Sequence, residues 1–507
     1  MFYLYLYFSP EVFCYNNSIL NLIGKYNSMS TMLDIQNISF INQKVNRYRL
    51  FGQHFTSEDV FNEFIFPEIK DKLYDYKFVD LFGGEGNLIL PILKNIPEDK
   101  RIEYFRKHIF LFDIQSEIVE KAIKKAEDYG IPKEIASENI KCLDTLKNYP
   151  EYLLNDDLPV YHITNPPYLY IGYIKKHKET QKYLQYFQGD NKGYQDLYQI
   201  ALINDLNHKI QKMIYVIPTN FIFSSSGANK IRDMFFKVYR INKAVIFEKK
   251  IFENTGINVG IFFFERKDKI SIHDVVFEGL KISDTNIKKR TYILTPKNHY
   301  RAGNEFEDFV ERHRAKNPLS VKFYLTHDEV QSNKGNKSII VVDANDFSKI
   351  GYTKKEIKVN EQLYNKIESN ILYVRTIDTG SLDKRAGLYI IQEDFQADGI
   401  IVSKPYRTHP IQIFLNPILP IHMQYLLKNY FNLILEYLRE ITDSEFMTTY
   451  KYSDSIYTRK YLGLSQVKKI IETFPWSILN QRMENVFYKS VKEKDINKVL
   501  KILKENL

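Results

Sequence analysis

Between residues 75 and 265 the chain alternates short apolar blocks with stretches of helical period. Lys77–Phe82 is apolar enough for a buried strand and runs straight into Gly83, Gly84, Glu85 and Gly86, with an apolar helix predicted through Leu93. Ile109–Phe112 predicts a second strand, ending at Asp113, and Ile118, Ala122 and Ala126 mark the buried stripe of the helix after it. Asn139–Leu143 predicts a third strand, ending at Asp144, and Val160–Thr164 a fourth, ending at Asn165. A Lys- and Tyr-rich loop is expected over roughly 169–194, then a helix from Gln195 to Asn207 and a strand over Lys212–Ile217. A helix to about Val238 and strands at Lys243–Phe247 and Asn258–Glu265 complete the series. Strands alternating with helices predict a mostly parallel, doubly wound α/β sheet.

Upstream, Glu58–Tyr74 predicts a helix interrupted at Pro67, while residues 1–45 carry little pattern. Residues 1–28, ahead of Met29 and Met32, read as neither a domain nor a signal and are expected to contribute little. Beyond about 270 the alternation breaks into short β-like runs (Ser338–Val342, Leu388–Ile391, Ile400–Val402) and helices at Ile421–Arg439 and Asn497–Leu507. A domain boundary is expected near 266–275, after Arg266–Lys269. This divides the chain into an N-terminal extension (1–45), an α/β domain (46–270) and a mixed α+β domain (271–507).

Composition narrows the function classes. At 507 residues there is room for two or three cores. The net charge of +9 is uneven, because residues 271–507 hold 36 Lys+Arg against 29 Asp+Glu and so supply most of it. That bias suits a polyanionic partner. Tyr457–Tyr461 and Lys404–Arg407 interleave cations with aromatics, a pattern found both at nucleic-acid interfaces and on ordinary solvated surfaces. Two distant cysteines, Cys14 and Cys142, exclude a disulfide framework and a cysteine zinc site, and no metal is expected. No run reaches the eighteen or so apolar residues of a membrane helix, and the apolar N-terminus breaks at Ser9 and Pro10 without a basic flank. A cytoplasmic, monomeric protein without membrane contact is therefore expected.

The candidate chemistry sits at strand ends, where open α/β sheets bind ligands. Asp80, Phe82, Gly84 and Gly86 close the first strand with a turn whose glycines allow close backbone approach. Asp113 ends the second strand, where an acid commonly binds ribose hydroxyls, and Asp144 ends the third. Either acid could instead cap a helix or turn. Asn165-Pro166-Pro167-Tyr168 ends the fourth strand. Its prolines cannot continue the sheet, so the Asn165 side-chain oxygen and the Pro166 carbonyl form a rigid row of acceptors beside the flat face of Tyr168. Two acceptors and an aromatic plate suit a planar group bearing an amine, such as adenine.

As an ordered set, these residues resemble the gamma arrangement of S-adenosylmethionine-dependent DNA adenine-N6 methyltransferases of restriction–modification type. The family's Asp-x-Phe-x-Gly-x-Gly loop is matched by Asp80, Phe82, Gly84 and Gly86, and its Asn-Pro-Pro-Tyr motif by residues 165–168. Gly52–Thr56 resembles the upstream motif, with Ser57 where the family usually has proline. The resemblance implies that Phe55 and Thr56 contact the cofactor, that Asp80 holds its methionine end, Asp113 its ribose and Asp144 its adenine. Gly193–Tyr198 and Ile217–Phe221 resemble the family's pocket walls, and Phe252 falls where an aromatic stacks on the flipped base, with Phe247 as its rival.

The implied fold is a Rossmann-like methyltransferase sheet followed by a C-terminal target-recognition domain. The implied activity is methyl transfer from S-adenosylmethionine to N6 of a flipped-out adenine in double-stranded DNA, alongside a cognate restriction endonuclease acting at the same site. Alternatives are an RNA-adenine or protein-glutamine methyltransferase, a fused restriction–modification enzyme using Asp346, Glu356 and Lys358, and a non-catalytic DNA-binding protein on the same fold. The glutamine enzymes share the tetrapeptide but usually carry their extra domain before the cofactor loop, the reverse of the layout here.

Overall fold

The computed structural model describes residues 58–505, apart from 156, 225, 250–257, 284–285, 349–350, 379–384, 405–408, 452–458 and 480. Phe55, Thr56 and Phe252, together with the extension 1–45, lie outside the described residues. A helical run over 58–72 carries a π-turn at Phe61–Ile65 and a 3₁₀ turn at Lys70–Lys72, with Pro67 tolerated at the start of its middle segment.

Nine strands then build one sheet. They are β1 (Lys77–Asp80), β2 (Ile109–Asp113), β3 (Ile140–Cys142), β4 (Val160–Thr164), β5 (Lys212–Pro218), β6 (Tyr239–Phe247), β7 (Val259–Arg266), β8 (Val275–Ile282) and β9 (Ile287–Leu294). Their order is β3-β2-β1-β4-β5-β7-β6-β8-β9. The first five run parallel, β7 lies antiparallel to both β5 and β6, and β8 runs parallel to β6. Every residue of β1 and β4 is buried, the composition expected of strands covered on both faces. Helices α1 (Arg101–His108), α2 (Ser116–Asp128), α3 (Leu197–Asn207) and α4 (Asn229–Val238) flank the sheet, and α2 buries the predicted stripe of Ile118, Ala122 and Ala126. From β1 the chain steps outward to β2 and β3, then returns to β4 on the other side of β1. The switch point, and the crevice it opens at the strands' carboxyl ends, therefore lies between β1 and β4.

The structure departs from the sequence reading in three places. The sheet does not stop near 266–275: β8 and β9 extend it to Leu294, pairing through β6 over Lys243–Phe247. The helix expected through Leu93 is a series of turns ending in a 3₁₀ stretch, Leu90–Asn95, because the clustered glycines and Pro91 disfavour a regular α-helix. Within the loop expected at 169–194, Lys178–Phe187 forms a 3₁₀ run.

After α5 (Glu305–His313), two four-stranded sheets follow. One comprises β10 (Ser320–Phe323), β17 (Ile411–Asn416), β14 (Leu372–Arg375) and β15 (Gly387–Ile390); the other comprises β11 (Leu325–Thr326), β16 (Gly399–Val402), β12 (Lys334–Ser348) and β13 (Gly351–Val359). The 22-residue helix α6 (Ile421–Thr442) buries Leu427, Phe431, Ile434 and Leu438 in a core shared with the first of these sheets. A small ribbon of β18 (Thr448–Lys451) and β19 (Arg459–Tyr461) comes after it. Asp346 pairs with Lys355, Glu356 accepts from Ser338, and no cluster able to hold a metal occurs among the described residues.

Candidate active site

The turn after β1 is shaped by its glycines. Gly84 and Gly86 take φ of +53° and +82°, a region costly for other residues, and a Cβ on Gly86 would lie 2.4 Å from Leu90 Cδ1. The turn is tied to the neighbouring strand end from two sides. Gly83 N–H donates to the Phe112 carbonyl at 2.7 Å, and Gly84 N–H donates to Asp113 Oδ2 at 3.2 Å. The other oxygen of Asp113 accepts from Gln115 N–H at 2.9 Å. Burial pushes the Asp113 carboxyl above its ordinary pKa, against the opposing pull of these N–H donors.

Asp80 is sealed beneath the same turn. Its Oδ1 accepts from Phe82 N–H at 3.0 Å and from the Thr164 hydroxyl at 2.6 Å, so one carboxylate oxygen ties the ends of β1 and β4 together across the switch point. Burial raises its pKa from an ordinary 3.8 to about 6, although the Thr164 hydrogen bond and the nearby His162 act in the other direction. Below it, His162 Nε2 accepts from Leu81 N–H at 3.3 Å while Nδ1 meets Asp205 Oδ2 at 2.5 Å. An accepting Nε2 requires the proton to sit on Nδ1. Tyr215 and Tyr149 also donate to Asp205, at 2.5 and 3.0 Å.

A cavity of about 440 Å³ opens along this edge, lined by Phe82, Gly84, Asp113, Asp144, Asn165 and Pro167 among others. The structure thus brings Phe82, Gly84, two of the three predicted acids and the tetrapeptide's Asn165 to one cavity. Asp80, Pro166 and Tyr168 are not among its lining residues. Tyr168 is buried, and its hydroxyl reaches both Asn165 Oδ1 and the Val216 carbonyl, the latter at 2.6 Å. Its hydroxyl therefore orients the Asn165 amide. Behind the tetrapeptide, the half-buried Asp196 accepts from Leu169 N–H at 2.8 Å, and desolvation of its carboxyl raises the pKa to about 7.

Sequence reasoning missed the cavity's outer wall. The 3₁₀ run Lys178–Phe187 places Lys182, Tyr183, Gln185 and Tyr186 along it. The Tyr186 hydroxyl donates to Asp144 Oδ2 at 2.7 Å, Lys147 lies 3.9 Å from the same oxygen, and the rings of Tyr183 and Tyr186 stack at 6.2 Å. The available signal was the density of tyrosine and lysine after the tetrapeptide. Nothing in the linear pattern tied it to Asp144.

The sequence model of the N-6 DNA methylase family matches residues 41–347. No curated protein matches the chain in sequence. Among solved structures, the type IIL restriction–modification enzyme MmeI in complex with DNA is similar at 13% identity over 90% of this chain and 75% of that one, with a TM-score of 0.49. A modification subunit of a putative type I restriction enzyme from Vibrio vulnificus YJ016 matches at 15% identity over 68% and 67%, with a TM-score of 0.35. The DrdV–DNA complex matches at 13% identity over 52% of this chain, with a TM-score of 0.36, and the chain spans 32% of that protein's length.

Proposed function

The chain belongs to the N-6 DNA methylase family, and from that premise we propose that it methylates N6 of one adenine within a defined sequence of double-stranded DNA, as the modification half of a restriction–modification system. The methyl donor in this reading is S-adenosylmethionine, the setting is the cytoplasm, and residues from about 295 onward read the DNA. The observation that carries the reading is the convergence of Gly84, Asp113, Asp144 and Asn165 on one cavity at the switch point.

The residues present fit that donor. Asp113 lines the cavity at the end of β2 and can accept from ribose hydroxyls. Asp144 can accept from an adenine amine once it shares its oxygen with Tyr186, whose ring and that of Tyr183 supply flat walls. When bound, S-adenosylmethionine supplies an electrophilic methyl group on a sulfonium centre.

The rest of the mechanism belongs to the chain. Asn165 Oδ1 has a second lone pair beside the one engaged by Tyr168. It accepts one hydrogen of the target amine, and the Pro166 carbonyl accepts the other. Both acceptors draw the amine out of conjugation with the ring and stabilise positive charge as it develops on nitrogen. Thr164 and Asp80 hold the end of β4 against the turn after β1, so donor and acceptor sites keep their separation. Reaching the amine requires the base to leave the duplex stack, with Phe252 as the proposed stacking partner.

The test is transfer of deuterated methyl from S-adenosylmethionine, followed by mass spectrometry of digested nucleosides. Label should appear as N6-methyldeoxyadenosine on duplex DNA. Label confined to RNA or to protein glutamine would overturn the reading.

A further inference from the structure

Where the C-terminal half meets the catalytic sheet, it does so through a buried cluster of charges. Lys281, on β8, lies 3.2 Å from Glu248, 2.9 Å from Asp443 and 3.2 Å from Glu445. Glu248 also receives Lys460 at 3.0 Å, and Glu445 receives Arg290 at 3.3 Å and the Tyr292 hydroxyl at 2.6 Å. Glu248, Lys281, Arg290 and Tyr292 belong to the sheet side; Asp443, Glu445 and Lys460 belong to the C-terminal side. Lys281, Glu445 and Lys460 are all but sealed from solvent. Burial disfavours charge on Glu248, but Lys460 and Lys281 outweigh it and hold the carboxyl below its usual range.

The backbone is fitted to the same contact. Asp443 and Ser444 both take left-handed φ, of 55° and 61°, turning the chain from α6 into the cluster. Gly303, at φ +74°, lets the two halves touch, since a Cβ there would lie 2.5 Å from Phe446 N. Arg301 donates to the Phe223 carbonyl on one side and to the Phe446 carbonyl on the other.

The position of this contact bears on the chemistry. β6 and β8 run parallel to each other, and β6, like β5, runs antiparallel to β7, so Glu248 and Lys281 lie at the same carboxyl edge as Asn165. Three strand spacings separate β6 from β4, which is about 14 Å at roughly 4.8 Å each. That is close to the width of a DNA major groove, about 12 Å. A buried ion cluster is a poor route to stability, since apolar packing would hold two domains at least as well. Its demanding geometry instead favours one orientation over others.

We propose that the Glu248–Lys460 and Lys281–Glu445 pairs are positioning residues, fixing the DNA-reading half over the carboxyl edge so that the base it selects is delivered to Asn165. This rests on the methyltransferase reading above. It adds a division that a purely structural cluster would not produce: breaking the pairs impairs the use of DNA while cofactor binding persists.

The experiment uses the full chain, S-adenosylmethionine and a duplex carrying the methylated sequence mapped for the unmodified protein. Glu248→Gln and Lys460→Met, the rim variants, break the outermost pair of the ion network, and Lys281→Met removes its central cation; all are compared with Lys460→Arg. The rim variants should lower kcat/KM for DNA by about tenfold and reduce the preference for the target over a one-mismatch site. The cofactor Kd should stay within about twofold, and Lys460→Arg should recover most of the loss, because the ion pair is restored. Unchanged KM and site preference in the rim variants, with only a lower Tm, would overturn the proposal, as would equal losses of cofactor and DNA binding. If Lys281→Met does not fold, the rim variants decide. An unmodified protein that transfers no methyl to any duplex would sink the underlying reading instead, which separates the two failures.

Discussion

Replacing Asp80 with asparagine should stabilise the protein and leave the cavity's shape intact. The buried carboxyl has its pKa raised from 3.8 to about 6, which corresponds to about 3 kcal/mol spent on holding the ionised form in the fold. Because the folded pKa lies above the unfolded one, this group's contribution to stability is fully present below about 3.8. It is lost as the pH rises through about 6. Asparagine is a neutral stand-in for the protonated acid. Both donors to Asp80, Phe82 N–H and the Thr164 hydroxyl, meet the same Oδ1, so an amide oxygen in that place keeps both hydrogen bonds. At pH 8 the Asp80→Asn protein should therefore be more stable by about 1–3 kcal/mol, a rise in Tm of roughly 2–6 °C if the catalytic half melts as a unit. The difference should fall to about half by pH 5 and vanish only below about 3.8, where the carboxyl is protonated in the folded and unfolded states alike. In the same samples, titration calorimetry at pH 8 should show S-adenosylmethionine binding nearly unchanged, because Asp80 is sealed beneath the turn, does not line the cavity, and its two hydrogen bonds survive the substitution. Scanning calorimetry across pH 5–8 checks the first half. A variant that melts below the unmodified protein at pH 8, or a Tm difference that does not change with pH, would refute the reasoning, since either means the ionised carboxylate is not the strained state.

Asn165→Ala should abolish methyl transfer and leave S-adenosylmethionine binding nearly unchanged in calorimetry, because Asn165 addresses the target amine. Asp113→Ala should weaken cofactor binding by about 1.5–3 kcal/mol, and by somewhat more if the Gly84 turn loosens once its acceptor is gone. A chain truncated near residue 270 should aggregate, visible in size-exclusion chromatography, because β6 would lose its pairing with β8 and expose an open edge. With 2-aminopurine at the target adenine, the full chain should raise the probe's fluorescence on its own site and not on a scrambled duplex. Phe252→Ala should change that emission with only a modest loss of duplex affinity.

Much of the catalytic sheet was legible because β1, β2, β4 and β5 are short, largely apolar and separated by helical periods. The acids Asp80, Asp113 and Asp144 and the Asn165 tetrapeptide stand at or just past strand ends in chain order, so the apolar blocks together with the tetrapeptide motif located them. What escaped was contact made over long sequence distances. The C-terminal extension of the sheet was hidden because β9 is mostly solvent-facing and cationic and buries only Tyr292 and Leu294, the pattern of an edge strand and not of a buried one. Tyr186 reaches Asp144 from a 3₁₀ run that carries no motif. The triangle of His162, Asp205 and Tyr215 combines residues from β4, α3 and β5 whose polarity, in an apolar strand or helix, gives no hint of their partners. Lys460 sits in a cation–aromatic run that reads like a surface, yet it is buried against Glu248.

The central claim is that this chain writes N6-methyladenine at one DNA sequence and does so through Asn165. The most direct measurement is long-read sequencing of genomic DNA from a methylation-deficient host expressing the protein, beside the same host expressing Asn165→Ala. The account predicts N6-methyladenine at nearly every copy of a single sequence context in the first sample and none above background in the second. Methylation persisting in the Asn165→Ala sample, or no modified context in either, would contradict it.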